Sequence, residues 1–160
     1  MNYFKIKKNK GISIIEILIV ISIIVIISAI AIPNLSKFHN QQALQNTTED
    51  VISLLNEARN STISSKNSNT YGIHFQSDKV ILFAGASFTS DPSNKQVDLD
   101  SSVTIPVAGG INLNGGGSDI VFARITGDTT EYGTIIIQLT RDATRQKVIT
   151  ISKIGVIGSN

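Results

Sequence analysis

A long hydrophobic run dominates the first part of the chain. It extends from Ile12 to Ile32, and its only polar members are Ser13, Glu16, Ser22 and Ser28. An α-helix of that length would measure ~32 Å, which is enough to cross the hydrocarbon core of a bilayer. A carboxylate inside such a run costs on the order of 3 kcal/mol near the middle of a membrane, so it marks a functional position. The pattern predicts a membrane-spanning helix with a functional acid near its beginning.

Beyond Asn34 the pattern becomes amphipathic. Apolar or small residues recur at steps of three, four and seven and define one helix face: Leu44, Val51, Leu55, Ala58 and Thr62. This period predicts that the helix continues to about Ser65. Pro33 removes one backbone hydrogen bond, so we expect it to bend or locally open the helix rather than end it. The polar stretch Lys66–Asn69 then breaks the helical pattern.

From Tyr71 onward the period changes to two, which is typical of strands. The predicted strand segments are Tyr71–Phe75, Lys79–Ala84, the single-parity series Val97, Leu99, Val103, Ile105 and Val107, then Ile120–Ala123, Thr134–Thr140, Lys147–Ser152 and Ile154–Ile157. Clusters of glycine, asparagine and aspartate separate them. Short strands joined by tight turns favour an antiparallel sheet. The predicted fold class is therefore α+β, with a long N-terminal α-helix packed on a C-terminal antiparallel β-sheet domain.

The charges are distributed unevenly along the chain. The segment Met1–Gly11 holds four of the 14 basic residues and none of the 12 acidic ones, so the remainder has 10 basic and 12 acidic residues. Basic residues on one flank of a membrane span keep that flank in the cytoplasm. The rest of the chain would then be extracytoplasmic. The chain has no cysteine, which excludes disulfides and zinc–thiolate sites.

The residues at the start of the hydrophobic run resemble the N-terminus of type IV prepilins and type II secretion pseudopilins. In that family a basic leader ends in glycine, and a prepilin peptidase cuts after it and N-methylates the new first residue. The resemblance implies cleavage between Gly11 and Ile12, methylation of Ile12, and assembly roles for Glu16 and Pro33. Ile12 stands where the family usually has phenylalanine or methionine. A secretory signal peptide cut near Ala29-x-Ala31 is the alternative.

The soluble part resembles the GspH/FimT family of pseudopilin H and related minor pilins. The resemblance lies in the helix Ala43–Ser65, where Asn56 and Thr62 depart from the family pattern, and in the final strands Ile120–Ile157. It implies a pilin-like fold. The expected organisation is a cleaved leader (1–11), a transmembrane and filament-core helix (12–33), its amphipathic continuation (34–66) and an antiparallel β domain (67–160).

Candidate chemistry in the soluble part is sparse. His39 and His74 belong to no metal or catalytic spacing, and Gly115–Gly117 lacks the lysine of a phosphate loop. Four oxygen-bearing residues in one region could chelate calcium, but they fit no EF-hand and are better explained as solvated loop residues: Asp91, Asn94, Asp98 and Asp100. We therefore expect no enzymatic activity, no metal and no cofactor.

A basic group near the C-terminus is the candidate nucleic-acid contact. Its members are Arg141, Arg145, Lys147 and Lys153. These side chains could touch phosphates, as in DNA-binding minor pilins used in transformation, or could simply guard a solvated hairpin edge.

The favoured function is a non-enzymatic minor pilin or pseudopilin of a type II secretion or type IV pilus filament. Its expected partners are prepilin peptidase, other pilins through the N-terminal helix, and the inner membrane, from which it would be extracted into the filament. The alternatives are a DNA-binding minor pilin and, in a different class, a membrane-anchored extracytoplasmic binding domain.

Overall fold

The described residues form one α-helix and nine β-strands. The computed structural model describes residues 11–160, except for the side chains of residues 30–35. Helix α1 runs over Ile14–Ile63, and a short 3-10 turn follows at Lys66–Ser68. The strands are β1 (Tyr71–Phe75), β2 (Lys79–Ala84), β3 (Lys95–Asp98), β4 (Val103–Thr104), β5 (Ile111–Leu113), β6 (Asp119–Val121), β7 (Gly133–Leu139), β8 (Asp142–Ile151) and β9 (Ile157–Ser159).

The chain divides into two units, residues 1–38 and 39–160, and the boundary falls inside α1. Pro33 belongs to α1, which continues to Ile63, so the prediction that this proline does not end the helix is confirmed. The predicted helix end at about Ser65 is close to the observed one. The chain leaves the helix there because Ser65 adopts a left-handed conformation with φ 51°.

The strands form two antiparallel sheets. One has the order β3-β2-β1-β6, and the other has the order β4-β7-β8-β9 with β5 also pairing β7. The two-residue turn after Phe75 places Tyr71 opposite Ala84 and Phe75 opposite Val80. The predicted α+β fold with an antiparallel sheet domain is confirmed, and its division into two sheets is the new feature.

The predicted helix face is the face that packs on the sheets. Val51, Leu55, Ala58 and Thr62 are fully buried and Leu44 is nearly so. They share one apolar core with buried residues of both sheets, among them Ile73, Ile120, Ile135 and Ile149. Because this core lies entirely between residues 44 and 151, it belongs to the second unit.

Three strand predictions need correction. Val107 is 93% exposed although it shares the parity of buried Val103 and Ile105. The reason is that β4 ends at Thr104, and Pro106 opens a loop. Ile154 and Val156 are exposed because residues 152–156 form a turn, closed by a 2.9 Å hydrogen bond from the Ser152 N–H to the Val156 carbonyl. Strand β5 was not predicted, since glycines and asparagines surround it.

Thr62 connects the end of α1 to the first strand. Its Oγ1 donates to the Ala58 carbonyl at 2.9 Å and accepts the Tyr71 N–H at 2.8 Å. Both groups are buried, so this hydroxyl provides the acceptor that the Tyr71 N–H needs. The polar residue on an otherwise apolar face therefore has a structural purpose that the helical period alone does not indicate.

Thr62→Val should destabilise the fold by about 1–3 kcal/mol, because the Tyr71 N–H would remain buried without an acceptor. Thr62→Ser keeps the hydroxyl and should lose less. Thr48→Val is the matched control, since the buried Thr48 hydroxyl donates only to the Leu44 carbonyl of its own helix. Urea unfolding of the detergent-solubilised chain, followed by circular dichroism, measures all three. Equal midpoints for Thr62→Val and Thr48→Val would contradict the assignment.

Candidate functional site

The predicted cleavage position lies just before α1, where the first described residues are not helical. Gly11, Ile12 and Ser13 precede the helix, and Ile12 is 74% exposed. The Ser13 carbonyl accepts the Glu16 and Ile17 N–H groups at 3.0 and 3.3 Å, so the first helical turn forms directly after it. Among the described residues, a Cβ placed on Gly11 would meet no atom within 4 Å. Gly11 and Ile12 are thus both exposed beside the start of the helix.

Glu16 lies in the first turn of α1, and its side chain is exposed. A carboxylate near a helix N-terminus is favoured by the unpaired N–H groups and the helix dipole there. Among residues 11–160, no basic side chain forms an ion pair with Glu16. Its charge therefore has no partner of opposite sign within the described part of this chain.

The first turns of α1 are apolar on every side. Its large side chains are between 48% exposed, at Ile17, and 80% exposed, at Ile14: Ile14, Ile15, Ile17, Leu18, Ile19, Val20, Ile21, Ile23, Ile24, Val25, Ile26 and Ile27. A helix with no polar face is stable only when other apolar groups cover it. Within the part of the chain that is described, none of the helices is sufficiently long and apolar to span a bilayer. The predicted span of residues 12–33 stays a prediction.

The basic group is divided between the two ends of β8. Arg141 and Arg145 lie at the β7–β8 hairpin with Lys147 nearby on β8, whereas Lys153 follows the other end of the strand. At about 3.3 Å per residue, the six-residue step from Lys147 places Lys153 on the order of 20 Å away from it. The residues are near in sequence but do not form one continuous edge.

The arginine nearest to α1 is already occupied by contacts within the chain. Arg145 Nη1 donates to Gln41 Oε1 at 3.1 Å, and its Nε lies 3.6 Å from Asp142 Oδ2. A cavity of about 430 Å³ lies here between the helix and the hairpin, lined in part by Gln41, Leu44 and Lys147. These contacts reduce the positive charge that the hairpin presents to an incoming phosphate.

The loop acids that could have chelated calcium bind their own loops instead. Asp91 accepts the N–H and hydroxyl of Ser93, and Asp100 accepts the same two groups of Ser102. These hydrogen bonds lower the pKa of both carboxyls from its usual value, and the bond from the serine hydroxyl has the larger effect. The Asp98 carboxylate accepts a hydrogen bond from Gln96 Nε2. No metal-binding group of acids and histidines occurs among the described residues.

His74 pairs with a neighbouring strand and covers the first sheet. Its Nδ1 lies 2.5 Å from Asp119 Oδ1, opposite it on β6, and its ring stacks on Phe88 with centroids 3.9 Å apart. Phe88 also meets the Phe83 ring edge-on at 5.6 Å. The loop after β2 thereby closes the sheet face that does not meet α1. No sequence spacing indicated this cluster, because strand pairing brings His74 and Asp119 together and the loop after β2 adds Phe88.

Arg59 is a further residue whose part in the fold only the structure reveals. Its Nε donates to the Gly127 carbonyl at 3.1 Å and so connects α1 to the loop after β6. Gly127 and Gly155 both have positive φ, and a Cβ on Gly155 would lie 1.9 Å from the Gly127 oxygen. Side chains are excluded at both positions, which accounts for two of the glycines in the GspH/FimT-like stretch.

The comparisons with known proteins agree with this geometry. Residues 6–32 match the family model described as the prokaryotic N-terminal methylation motif. The fold resembles the type IV minor pilin FimU of Pseudomonas aeruginosa, with a TM-score of 0.55 and 16% identity over 73% of this chain and 92% of that one. The fold is pilin-like.

A second solved structure gives the same result for the fold. The fold also resembles that of the minor pseudopilin EpsH from the Type 2 Secretion System of Vibrio cholerae. The TM-score is 0.51, and the identity is 12% over 73% of this chain and 95% of that one. A search of curated protein sequences finds no significant match. The expected resemblance to minor pilins and pseudopilins is confirmed for the motif and for the fold.

Proposed function

We propose that this chain is a non-enzymatic minor pilin or pseudopilin, a subunit of a type II secretion or type IV pilus filament. The observation that carries the proposal is the first part of α1, which is exposed, carries apolar side chains on all sides, and has Glu16 as its one charged residue up to Ile27. Such a surface needs cover from lipid or from other apolar helices. A filament core built from the same helix of many subunits supplies that cover.

Processing is the first step of the proposed function. Prepilin peptidase would cut between Gly11 and Ile12 and methylate the new amino group of Ile12. The methylation motif over residues 6–32 and the open chain before α1 support this step. The lysines of the leader lie outside the described residues. Their basic pattern in the sequence favours a cytoplasmic leader.

Glu16 would act between subunits once the leader is removed. Cleavage creates an ammonium at Ile12, and an isolated charge in an apolar bundle is very unfavourable. The Glu16 carboxylate of an adjacent subunit can neutralise that ammonium. The pair would also fix how far one helix is displaced along the next, because apolar helices alone discriminate weakly between offsets. Pro33 would permit local opening of the helix backbone during assembly.

Before assembly, the same helix would anchor the chain in the inner membrane. The N-terminus would be cytoplasmic and the unit 39–160 extracytoplasmic, until the subunit is extracted into a periplasmic or surface filament. A membrane-anchored binding domain would share this anchor but would need neither cleavage nor Glu16.

Co-purification tests the filament proposal. The full-length chain, tagged at its C-terminus, is isolated from detergent-solubilised membranes of cells that make it naturally. We expect other proteins with the N-terminal methylation motif to be recovered with it. Recovery of the chain without any such protein would favour the anchored binding domain.

A DNA-binding minor pilin is the second candidate, and the gathering of Arg141, Arg145 and Lys147 near one hairpin is the observation in its favour. Against it, Arg145 is engaged by Gln41 and Asp142, and Lys153 lies apart. The chain without its leader also has more acidic than basic residues. The structural role is therefore the stronger proposal.

We expect no measurable binding of duplex DNA at physiological salt. If the hairpin does contact phosphates, log affinity should fall with log salt by a slope of about −0.9 per contact, and Arg141→Ala with Arg145→Ala should flatten it by roughly two units. Fluorescence anisotropy over a salt series measures the slope. Micromolar, salt-sensitive binding that disappears in the double variant would promote the DNA-binding pilin to first place.

A further inference from the structure

Four exposed apolar side chains lie around the end of α1, on three segments of the second unit. Ile63 ends the helix and is 36% exposed. Ile125 belongs to the loop after β6 and is 79% exposed, while Ile154 and Val156 belong to the turn after β8 and are 67% and 57% exposed. We refer to these four residues as the helix-end patch.

Close backbone contacts hold the three segments together. A Cβ on Gly155 would lie 1.9 Å from the Gly127 oxygen, and one on Gly127 would lie 2.6 Å from Ile63 Cδ1. The Thr129 N–H donates to the Lys153 carbonyl at 2.9 Å, and Arg59 reaches the Gly127 oxygen from the helix. The three segments that carry the helix-end patch are therefore held beside one another by direct contacts.

Ile125 adopts a conformation that its side chain opposes. Its φ is +74°, in the left-handed region that β-branched residues rarely enter. The side chain is exposed, so packing within the fold does not explain why isoleucine stands there. Strained backbone at an exposed apolar residue is characteristic of binding surfaces.

The surroundings of the patch are basic. Arg124 and Lys153 adjoin Ile125 and Ile154, and both are exposed. The nearby acid, Asp128, accepts a hydrogen bond from Thr126 Oγ1, which with the Coulombic effect of Lys153 lowers the pKa of its carboxyl. A complementary surface would have an apolar centre and free carboxylates at its rim.

We propose that the helix-end patch docks the globular domain of a different pilin-like subunit, through an apolar surface rimmed by acidic residues. The proposal rests on the filament function given above. A second copy using the same patch would place Arg124 and Lys153 against themselves. Four side chains also cover much less than the roughly 800 Å² per partner of a stable complex, so the contact would supplement the α1 bundle.

Site-specific photo-crosslinking in cells tests the proposal on the full-length chain. A photoreactive amino acid replaces Ile154, and the matched control replaces Val107, which is 93% exposed, apolar and outside the patch. We expect an adduct from position 154, but not from 107, with a protein that peptide mass spectrometry shows to carry the N-terminal methylation motif.

Charge reversal tests the acidic rim. Lys153→Glu should lower the yield of the adduct by about tenfold, because like charges would then face each other, whereas Arg141→Glu on the β7–β8 hairpin should leave it unchanged. Ile125→Gly should lower the yield and raise the unfolding midpoint, since glycine tolerates positive φ. A lower midpoint would show that Ile125 serves the fold and would overturn the assignment.

The proposal is overturned if positions 154 and 107 give equal yields, or if the adduct is a second copy of this chain or a protein without the motif. Cleavage at Gly11 and co-purification with other pilins are measured in the same cells. Their loss would overturn the filament function. Their retention without a position-specific adduct would overturn the docking surface alone.

Discussion

Glu16→Ala is expected to lower incorporation into the filament by at least tenfold while leaving the chain in the membrane. Removing one partner of a buried ion pair costs about 3–5 kcal/mol, and each 1.4 kcal/mol corresponds to tenfold in an equilibrium constant. Membrane insertion should be unchanged or improved, since the variant removes a carboxylate from an apolar segment. The measurement is the amount of chain that co-purifies with other pilins, divided by the amount in the membrane.

Two control variants separate charge from other effects. Glu16→Gln keeps the shape of the side chain and removes the charge, so it should fail like alanine. Glu49→Ala removes an exposed acid elsewhere on α1, which accepts a hydrogen bond from Gln45, and should assemble normally. If the Glu16→Ala variant co-purifies with other pilins as efficiently as the wild-type chain, the result would count against the role assigned to this carboxylate.

Gly11→Val should leave the leader attached in essentially all of the protein. The peptidase needs a residue without a side chain at the cut, and the valine side chain would stand directly at that bond. Gly158→Val is the matched control, since a Cβ at Gly158, as at Gly11, meets nothing within 4 Å. Intact-mass measurement of each variant from membranes gives the result. A Gly11→Val chain that still matures to begin at Ile12 would refute the proposed processing.

The helix could be predicted well because its signal is local. The core face of Leu44, Val51, Leu55 and Ala58 repeats at the helical period, and burial follows that period. Thr48 is also fully buried on α1 yet escaped the pattern, because a hydroxyl that bonds to its own helix looks polar in the sequence.

The arrangement of the strands could not be predicted, since pairing is decided by contacts distant in sequence. Strand β1 pairs both β2, which follows it directly, and β6, which comes after three other strands. The alternation of apolar and polar residues predicts which face of the sheet a side chain lies on, but not which strand pairs with its own. The turn at Gly155 was wrongly predicted as a strand for a related reason. The isoleucine and valine on either side of it are residues typical of strands.

The candidate functional residues likewise include some that a local sequence pattern indicates and others that only the fold brings together. Gly11, Ile12 and Glu16 form a motif contiguous in sequence, and the family model matches it. The basic residues from Arg141 to Lys153 are also near in sequence, but an extended strand carries them apart. The helix-end patch has no sequence motif at all, since the segments that carry Ile63, Ile125 and Ile154 are brought together by the contacts at Gly127 and Gly155.

The mass of the wild-type chain purified from membranes tests the central claim most directly. The account predicts a protein that lacks residues 1–11 and begins with an Ile12 carrying one methyl group on its α-nitrogen, as confirmed by fragmentation of the N-terminal peptide. A chain that retains its leader, or that begins after Ala31, would contradict the assignment of this protein to pilin-like filaments.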